Sequence, residues 1–553
     1  MPLVCRAWAQ SQQRDCAAIW IEIKAGPRFP QKSLTAYSRF AIFDESKNHT
    51  IPPEHPCHLY LSYSQSGRYL VFVRGRMAQS FFSEFESRMR QAGMSKPAIA
   101  AFHHHYSRLV SGESGMIPER EIEPVPDLPS RDEIAGNVVS DPELLGQTLL
   151  VKLNGGLGTS MGLDRAKSLL PVKQGLSFLD LIARQVLHLR AKHGAGLRFV
   201  LMNSFSTSQQ TFEALRKYPA LGEPLEIELM QSQAPKVDAA TFRPAEWREN
   251  PQLEWCPPGH GDFYTSLYAT GMLERLLAEG VRYVFISNSD NLGATLDLAL
   301  LTHFAESGLA FMMEVAERTP ADRKGGHLAV RNGSLILRES AQCPESDMEQ
   351  FQDIRKHRFF NTNNLWIRLD ALKPLLETSG GFLPLPLIKN RKTVDPRQKT
   401  SPPVFQLETA MGAAIECFAN SGAVVAPRSR FAPVKTTNDL LALRSNAYRI
   451  TEDWRLVLER SEAGAHPPHV DLDPALYKLV DSLDNLIPGG APSLRDCDEL
   501  VVRGPVRLDP GNVFQGTVKI INPGHEIAAL PAGTYRNCEW NDGKIVARSA
   551  TPH

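Results

Sequence analysis

From about residue 140 to residue 445 the chain alternates short, almost wholly apolar runs with amphipathic stretches of helical period, and few folds accept that alternation. QTLLVKLNGG, LRFVLMNS, LEIELMQSQ, VRYVFISNSDN and LAFMMEVAE are the strand candidates, and SFLDLIARQVLHLRAKHG, SQQTFEALRKY and SLYATGMLERLLAEG the helical ones. Strands that are apolar on both faces must be covered on both faces, which predicts an α/β protein built on a doubly wound sheet. Such sheets bind ligands beyond the carboxyl ends of their strands, so functional residues are expected in the loops that follow these runs.

At 553 residues the chain exceeds what one hydrophobic core organises. Four parts are expected: an N-terminal extension (1–78), a helical segment with a linker (79–140), the main α/β domain (141–450) and a C-terminal domain (451–553). Lys plus Arg, 61, equals Asp plus Glu, 61, so no global field draws the protein to nucleic acid or an anionic membrane. Any phosphate it binds must be held by a local site. No uncharged apolar stretch approaches the ~20 residues that span a bilayer, and the N-terminus lacks a signal-peptide core, so a cytoplasmic protein is expected. The eight cysteines form no CxxC pair or zinc spacing and read as reduced, mostly buried thiols.

Near the N-terminus HLYLSYS and RYLVFVRGR read as strands of a small module. Phe82, Phe85 and Met89, then Ile99, Phe102, Tyr106 and Leu109, recur at three- and four-residue steps and predict helices over 81–110. His103, His104 and His105 fall there; successive helical residues point about 100° apart, so the three cannot converge on one metal. MIPEREIEPVPDLPSRDEI reads as an extended connection. Past residue 445, Val502, Leu508, Phe514 and Ile520 recur every six residues, which predicts a β-helix; a run of short antiparallel strands is the alternative.

The most informative window is LLVKLNGGLGTSMG, residues 149–162, where a buried strand opens directly into Gly155, Gly156, Gly158 and Gly162. Glycines let backbone N–H groups approach an anion closely. The spacing is neither that of a Walker A loop nor GxGxxG, and alone it is as compatible with a tight turn as with a ligand loop. Nine residues beyond Gly158 stands Lys167, able to place a point charge near the same phosphates.

KLNGGLGTSMG followed by AKSLLPV and SFLDL closely resembles the signature of the UTP–glucose-1-phosphate uridylyltransferases (UDP-glucose pyrophosphorylases). The resemblance continues in register through LMNSF (201–205), the QS at 231–232, PPGHGDFYTSLY (257–268), FISNSDNLGATLD (285–297) and MEVAERTPADRKGG (313–326). It extends to FNTNNLWI (360–367), QLETAMGAAI (406–415) and PRSRFAPVKTTNDLL (427–441). Asn154, and Ser160 where relatives acting on N-acetylglucosamine carry Arg, resemble the glucose enzyme. The implied fold is a Rossmann-like nucleotidyltransferase fold, a doubly wound mixed sheet, with a C-terminal left-handed β-helix domain. The implied reaction is in-line attack of glucose 1-phosphate on the α-phosphorus of UTP, giving UDP-glucose and pyrophosphate. The attacking oxygen is already ionised, so no general base is required.

The resemblance also assigns roles. Leu153, Asn154, Gly155 and Gly156 are implied to line the uridine and its phosphates, and Gln231 to read the uracil edge, for which an amide supplies donor and acceptor. Gly259, Asn288 and Asp290 complete the UTP side, with Asp290 the implied ligand of Mg²⁺. Lys167 and Lys435 are the implied catalytic cations on the triphosphate, Arg430 a helper nearby. His260 and Asn363 are implied to hold the sugar phosphate and its hydroxyls, with Lys324, Gly325 and Gly326 as a mobile loop beside them. The partners implied are UTP and glucose 1-phosphate, with a homo-oligomer through the β-helix as an open possibility and neither nucleic acid nor membrane. Residues 1–75 lie outside the resemblance, and IKNRKTVDPRQK (388–399) reads as a basic surface insertion. Two alternatives remain at this point: a pyrophosphorylase for another sugar 1-phosphate, and a silent nucleotide-sugar-binding scaffold.

Overall fold

A computed structural model describes residues 81–547 except 195, 320–321 and 461–465; before residue 81 it describes backbone elements alone. Strands Cys5–Ala9, Ile19–Ile23, Tyr69–Val73 and Leu59–Tyr63, in that spatial order, pair into an antiparallel sheet, and both runs expected as strands fall on it. Helices α1 (Arg74–Gln91) and α2 (Lys96–Val110) follow as the periodicity predicts, α2 starting at Ser95, whose side chain accepts from Ala98 N. His105 is buried, while His103 stacks on Phe82 with ring centroids 3.9 Å apart, so the histidines diverge.

Strands β1 (Thr148–Asn154), β2 (Arg198–Asn203), β3 (Glu228–Met230), β4 (Tyr283–Asn288), β5 (Phe311–Glu317), β6 (Phe359–Arg368) and β7 (Ser421–Val425) form the main sheet in the order β3-β2-β1-β4-β6-β5-β7. The first four are parallel, and β6 runs against β4, β5 and the hairpin His327–Arg331/Ser334–Arg338 that brings the sheet to nine strands, making it mixed. Along β1, Leu149 and Val151 join the core on one face and Leu150 the core on the other, the two-residue period of a strand covered on both sides. Helix α3 (Phe178–His193) covers the Leu150 face, its start fixed by a reciprocal cap in which Ser177 Oγ accepts from Asp180 N (3.1 Å) and Asp180 Oδ2 from Ser177 N (2.9 Å). Helix α4 (Asp262–Ala269) covers the other face with Phe263, Tyr264 and Leu267. Each of these fully buried side chains stabilises by about 1.5–3 kcal/mol, and a charge at Leu267 would break the contact. On the α3 side the core runs on through α5 (Thr437–Arg444) to Leu472, Leu500 and Phe514.

The C-terminal region corrects the sequence expectation: among the described residues it is not a left-handed β-helix. Strands β8 (His469–Leu472), β9 (Ser493–Arg503), β10 (Asn512–Ile521), β11 (Gly533–Arg536), β12 (Cys538–Asn541) and β13 (Lys544–Ala547) form one six-stranded sheet, parallel until the closing β12–β13 hairpin. β9 and β10 are 11 and 10 residues long, not hexapeptide strands. The six-residue spacing has a plainer cause. Phe514 and Ile520 lie on one strand, where any even spacing returns to the same face, and Val502 is the ladder partner of Ile520. The oligomer contact expected through a β-helix loses its basis with it. The basic stretch at 388–399 is also more ordered than a surface loop, since Ile388–Thr393 pairs along its whole length with Pro403–Glu408.

Candidate active site

The carboxyl ends of β1, β2, β3 and β4 point the same way, and the glycine loop leaves the first of them. Asn154 closes β1 and is buried: its Nδ2 donates to Asn203 Oδ1 (2.7 Å) and Thr211 Oγ1 (2.9 Å), tying β1 to β2 and to the helix beyond. Its side chain therefore braces the loop from behind. Ser204 Oγ donates to Gly155 O (2.8 Å), and a Cβ on Gly155 would lie 2.7 Å from Gln231 Oε1, so loop and amide are in direct contact. Gln231 Nε2 donates to Gly259 O (2.8 Å), leaving Oε1 on the loop side. Gly259 has φ +83° in a turn pressed against the 406–409 strand end, where a side chain would strike the Thr409 backbone. Gly155, Gln231 and Gly259 thus lie together, with Leu153 and Gly156 beside them in the strand end and its loop.

Lys167 opens a short turn that folds back on the loop, its N–H donating to Gly156 O (3.2 Å). Its Nζ lies 2.7 Å from Asp290 Oδ2, each side chain about one-fifth exposed. Asp290 follows β4, two residues beyond Asn288. Lys435 arrives from the opposite side on the segment leading into α5. Val434 N donates to Asp290 O (3.2 Å), which sets Lys435 one residue from that contact, and its Nζ stands 5.7 Å from the ring centroids of both Phe360 and Phe431. Asn291 fixes the same segment, accepting from Ala432 N (3.0 Å).

On the third side, β6 carries a bulge opposite Glu314 and Val315, and within it Asn363 takes φ +62°. A bulge re-aims the side chains at its extra residues. Here Asn363 Nδ2 comes within 3.4 Å of His260 Nε2. His260 Nδ1 accepts from Met411 N (2.9 Å), which leaves Nε2 as the protonated nitrogen, and burial pushes its pKa down to about 4. The ring is neutral at pH 7 and can donate toward the cleft. Gly325 packs on the Phe360 ring, and Gly326 O accepts from Asn361 N (3.1 Å), which puts the 324–326 turn beside the bulge.

Sequence reasoning missed the polar residues beneath the site. Lys152, on β1, is 2% exposed; its Nζ donates to Ser287 Oγ (2.8 Å) and Ala294 O (2.6 Å), and burial, with Arg430 nearby, lowers its pKa to about 7. Asp262 accepts from Ser232 N and Ser266 Oγ (both 2.7 Å) behind Gln231, and burial lifts it to about 6. Glu314, on β5, pairs with Arg430, so Arg430 lies under the site instead of facing it. The available signal was a charge inside an apolar run, in TLLVKLN and FMMEVAE: a charged residue in a strand covered on both faces must have a buried partner.

Cations and amides from several loops gather over the carboxyl ends of the parallel strands of a mixed sheet, the place where α/β proteins bind ligands, and comparison with known proteins gives the class as nucleotidyltransferase. The sequence model of one such family, UTP–glucose-1-phosphate uridylyltransferase, matches residues 99–514. The chain belongs to the UTP–glucose-1-phosphate uridylyltransferase family. It is 40% identical over 415 residues to that enzyme of Saccharomyces cerevisiae, covering 74% of this chain and 81% of the relative. To the enzyme of Solanum tuberosum it is 38% identical over 435 residues, covering 77% and 89%. Among solved structures it matches a mutant of Leishmania major UDP-glucose pyrophosphorylase in complex with UDP-glucose, with 47% identity, TM-score 0.80 and coverage of 84% of this chain and 99% of that one. A Trypanosoma brucei structure described as UDP-glucose phosphorylase gives 48%, 0.78, 84% and 99%. These neighbours have a mixed-sheet α/β fold, which agrees with the correction made for the C-terminal region. The chain is a nucleotidyltransferase that forms UDP-glucose and pyrophosphate from UTP and glucose 1-phosphate. Among the described residues no helix is long and apolar enough to cross a membrane.

Proposed function

We propose that the reaction proceeds by in-line displacement, with each side of the cleft holding one polyanion. The observation that carries this reading is the convergence of Lys167 with Asp290, Gln231 with Gly259 and His260 with Asn363 over adjacent strand ends. Gly155 and Gly156 offer loop amides to the UTP phosphates, while Gln231 reads the uracil edge through the oxygen that Gly259 leaves free. The Lys167 ammonium exchanges Asp290 for phosphate oxygens when UTP arrives. Lys435 approaches from the other side and stabilises charge as the α-phosphorus becomes five-coordinate. His260, neutral with its proton on Nε2, donates to the sugar phosphate, and Asn363 bonds glucose hydroxyls. Asn288 and Asp290 face the ribose and the phosphates.

Transfer between two polyanions calls for a divalent cation, and Mg²⁺ is the one proposed. It takes one or two carboxylates and keeps water and phosphate oxygens for its other positions. Asp290, a single partly exposed carboxylate whose one ion pair among the described residues is with Lys167, fits that demand. When bound, the ion neutralises phosphate charge and aligns the triphosphate. The division at residues 78, 140 and 450 and a cytoplasmic location belong to the same reading.

Pyrophosphate release from purified protein tests it, with UTP and Mg²⁺ and, in parallel, glucose 1-phosphate, galactose 1-phosphate or N-acetylglucosamine 1-phosphate. Fastest turnover with glucose 1-phosphate, abolished by chelator and restored by Mg²⁺, is expected. Turnover indifferent to chelator would sink the metal assignment, and faster turnover with another sugar would sink the assignment of Asn363 and His260 to glucose.

A further inference from the structure

Beneath Lys435 lies a buried polar cluster that the displacement itself does not use. Arg430 grips Glu314 with two prongs, Nε to Oε2 at 2.8 Å and Nη2 to Oε1 at 2.7 Å, and the two residues are 7% and 0% exposed. Trp366 Nε1 (3.0 Å) and Asn364 Nδ2 (3.1 Å) donate to the same carboxylate, which fixes its plane. Arg430 Nη2 reaches Thr295 O as well (2.9 Å), in the loop that begins at Asp290, and Lys152 Nζ holds the preceding carbonyl, Ala294 O, at 2.6 Å. Asn291 donates back to Arg430 O (3.2 Å). The Arg430 guanidinium thus adds a buried, charged tie between the loop carrying Asp290 and the turn carrying Lys435, beside the bonds of Val434 N to Asp290 O and of Ala432 N to Asn291 Oδ1.

Stability alone is a poor reason for such an arrangement, because an apolar pair of the same shape commonly serves a core as well as a buried ion pair does. What a bidentate fork adds is direction: it fixes the orientation of the turn from which Lys435 emerges five residues later. We propose that Arg430, oriented by Glu314, is a positioning residue that sets Lys435 against Asp290, acting on the transition state through Lys435 and not on substrate binding. This rests on the roles given above to Lys435 and Asp290.

Arg430→Lys keeps the charge and removes the fork. It is expected to lower kcat about tenfold while leaving KM for both substrates within about twofold. The decisive measurement is a cycle with Lys435→Ala: if Arg430 works through Lys435, adding Arg430→Lys to Lys435→Ala costs less than about twofold more. Equal losses in both backgrounds overturn the proposal, as does an Arg430→Lys kcat within twofold of the parent or a loss confined to KM. Should Arg430→Lys fail to melt cooperatively, Glu314→Gln, which keeps the shape of the carboxylate but weakens the fork that orients Arg430, passes through the same cycle under the same criteria. A Lys435→Ala enzyme as fast as the parent removes the reading of Lys435 itself and this inference with it. An impaired Lys435→Ala enzyme beside additive losses removes the inference alone.

Discussion

Lys167 and Lys435 reach the cleft from scaffolds of opposite kinds. Lys167 sits on a three-residue turn joined to the glycine loop at the Leu157–Ala166 bridge, and its charge is matched by Asp290 at 2.7 Å. Lys435 enters α5 through a reciprocal cap, its own N–H donating to Asp439 Oδ2 at 2.8 Å, on a turn anchored by Asn291 and Arg430. Its ammonium lies over two aromatic rings, which attract a cation without neutralising it. A charge paired at hydrogen-bond distance must change partner when phosphate arrives, whereas Lys435, over two rings and within the field of the Glu339 carboxyl, has no such direct pair to break among the described residues. On the reading proposed above, that contrast assigns Lys167 to nucleotide binding and Lys435 to the chemical step.

The largest effects break or sharpen that contrast directly. Lys435→Ala should lower kcat by about 10²–10³ with little change in KM, the scale of a lost preorganised charge. Lys167→Ala should lower kcat and also raise KM for UTP, because the phosphates lose a cation and meet Asp290 unpaired. Steady-state kinetics with UTP varied decides: a pure KM effect at Lys435, or the same kcat-only signature at both, erases the distinction. Next comes Gly259→Ala, which forces a side chain at φ +83° into the Thr409 backbone and displaces the carbonyl that holds Gln231. A loss of about 2–3 kcal/mol in unfolding free energy, with KM raised for both substrates, is expected from denaturant melts and kinetics. Unchanged values would mean that the turn relaxes freely. Gln231→Ala should be milder and confined to the nucleotide side, narrowing the preference for UTP over CTP by about 1–2 kcal/mol in kcat/KM. Unaltered selectivity would remove Gln231 from the base site.

The main sheet was legible because its strands are apolar on both faces, a pattern that permits little else, and the glycine loop because it follows such a strand directly. The convergence of Gln231 with Gly259 and of His260 with Asn363 was not derivable from spacing, since 28 and 103 residues separate the partners. Only the resemblance joined them. At the C-terminus a six-residue period was read as a coil repeat although it is a multiple of the strand's own period of two. Four apolar positions cannot separate those cases, because pairing between strands leaves no trace in the spacing of one. Lys152 and Glu314 were passed over for the opposite reason: each is one charge in a strong apolar run, and the run was weighed without asking what answered the charge.

The smallest predicted effect concerns His260, which belongs to neither lysine. Its folded pKa, about 4, lies below the ordinary value of 6.5, because burial disfavours the charged ring while Met411 N donates to Nδ1. Between those two values the unfolded chain binds more protons than the folded one. The residue therefore costs nothing above pH 6.5 and withdraws stability as pH falls toward 4, by about 1 kcal/mol at pH 5.5. His260→Gln keeps an acceptor for Met411 N and cannot titrate, so the stability gap between parent and variant should shrink from pH 7.5 to pH 5.5 in denaturant melts. His105, pushed by burial to about 3, and His327, pushed to about 2, titrate in the same direction but remain in both proteins, so the difference isolates His260. A gap that stays constant over that range would mean the folded ring protonates as it does in water, and would remove burial as the cause that keeps His260 neutral.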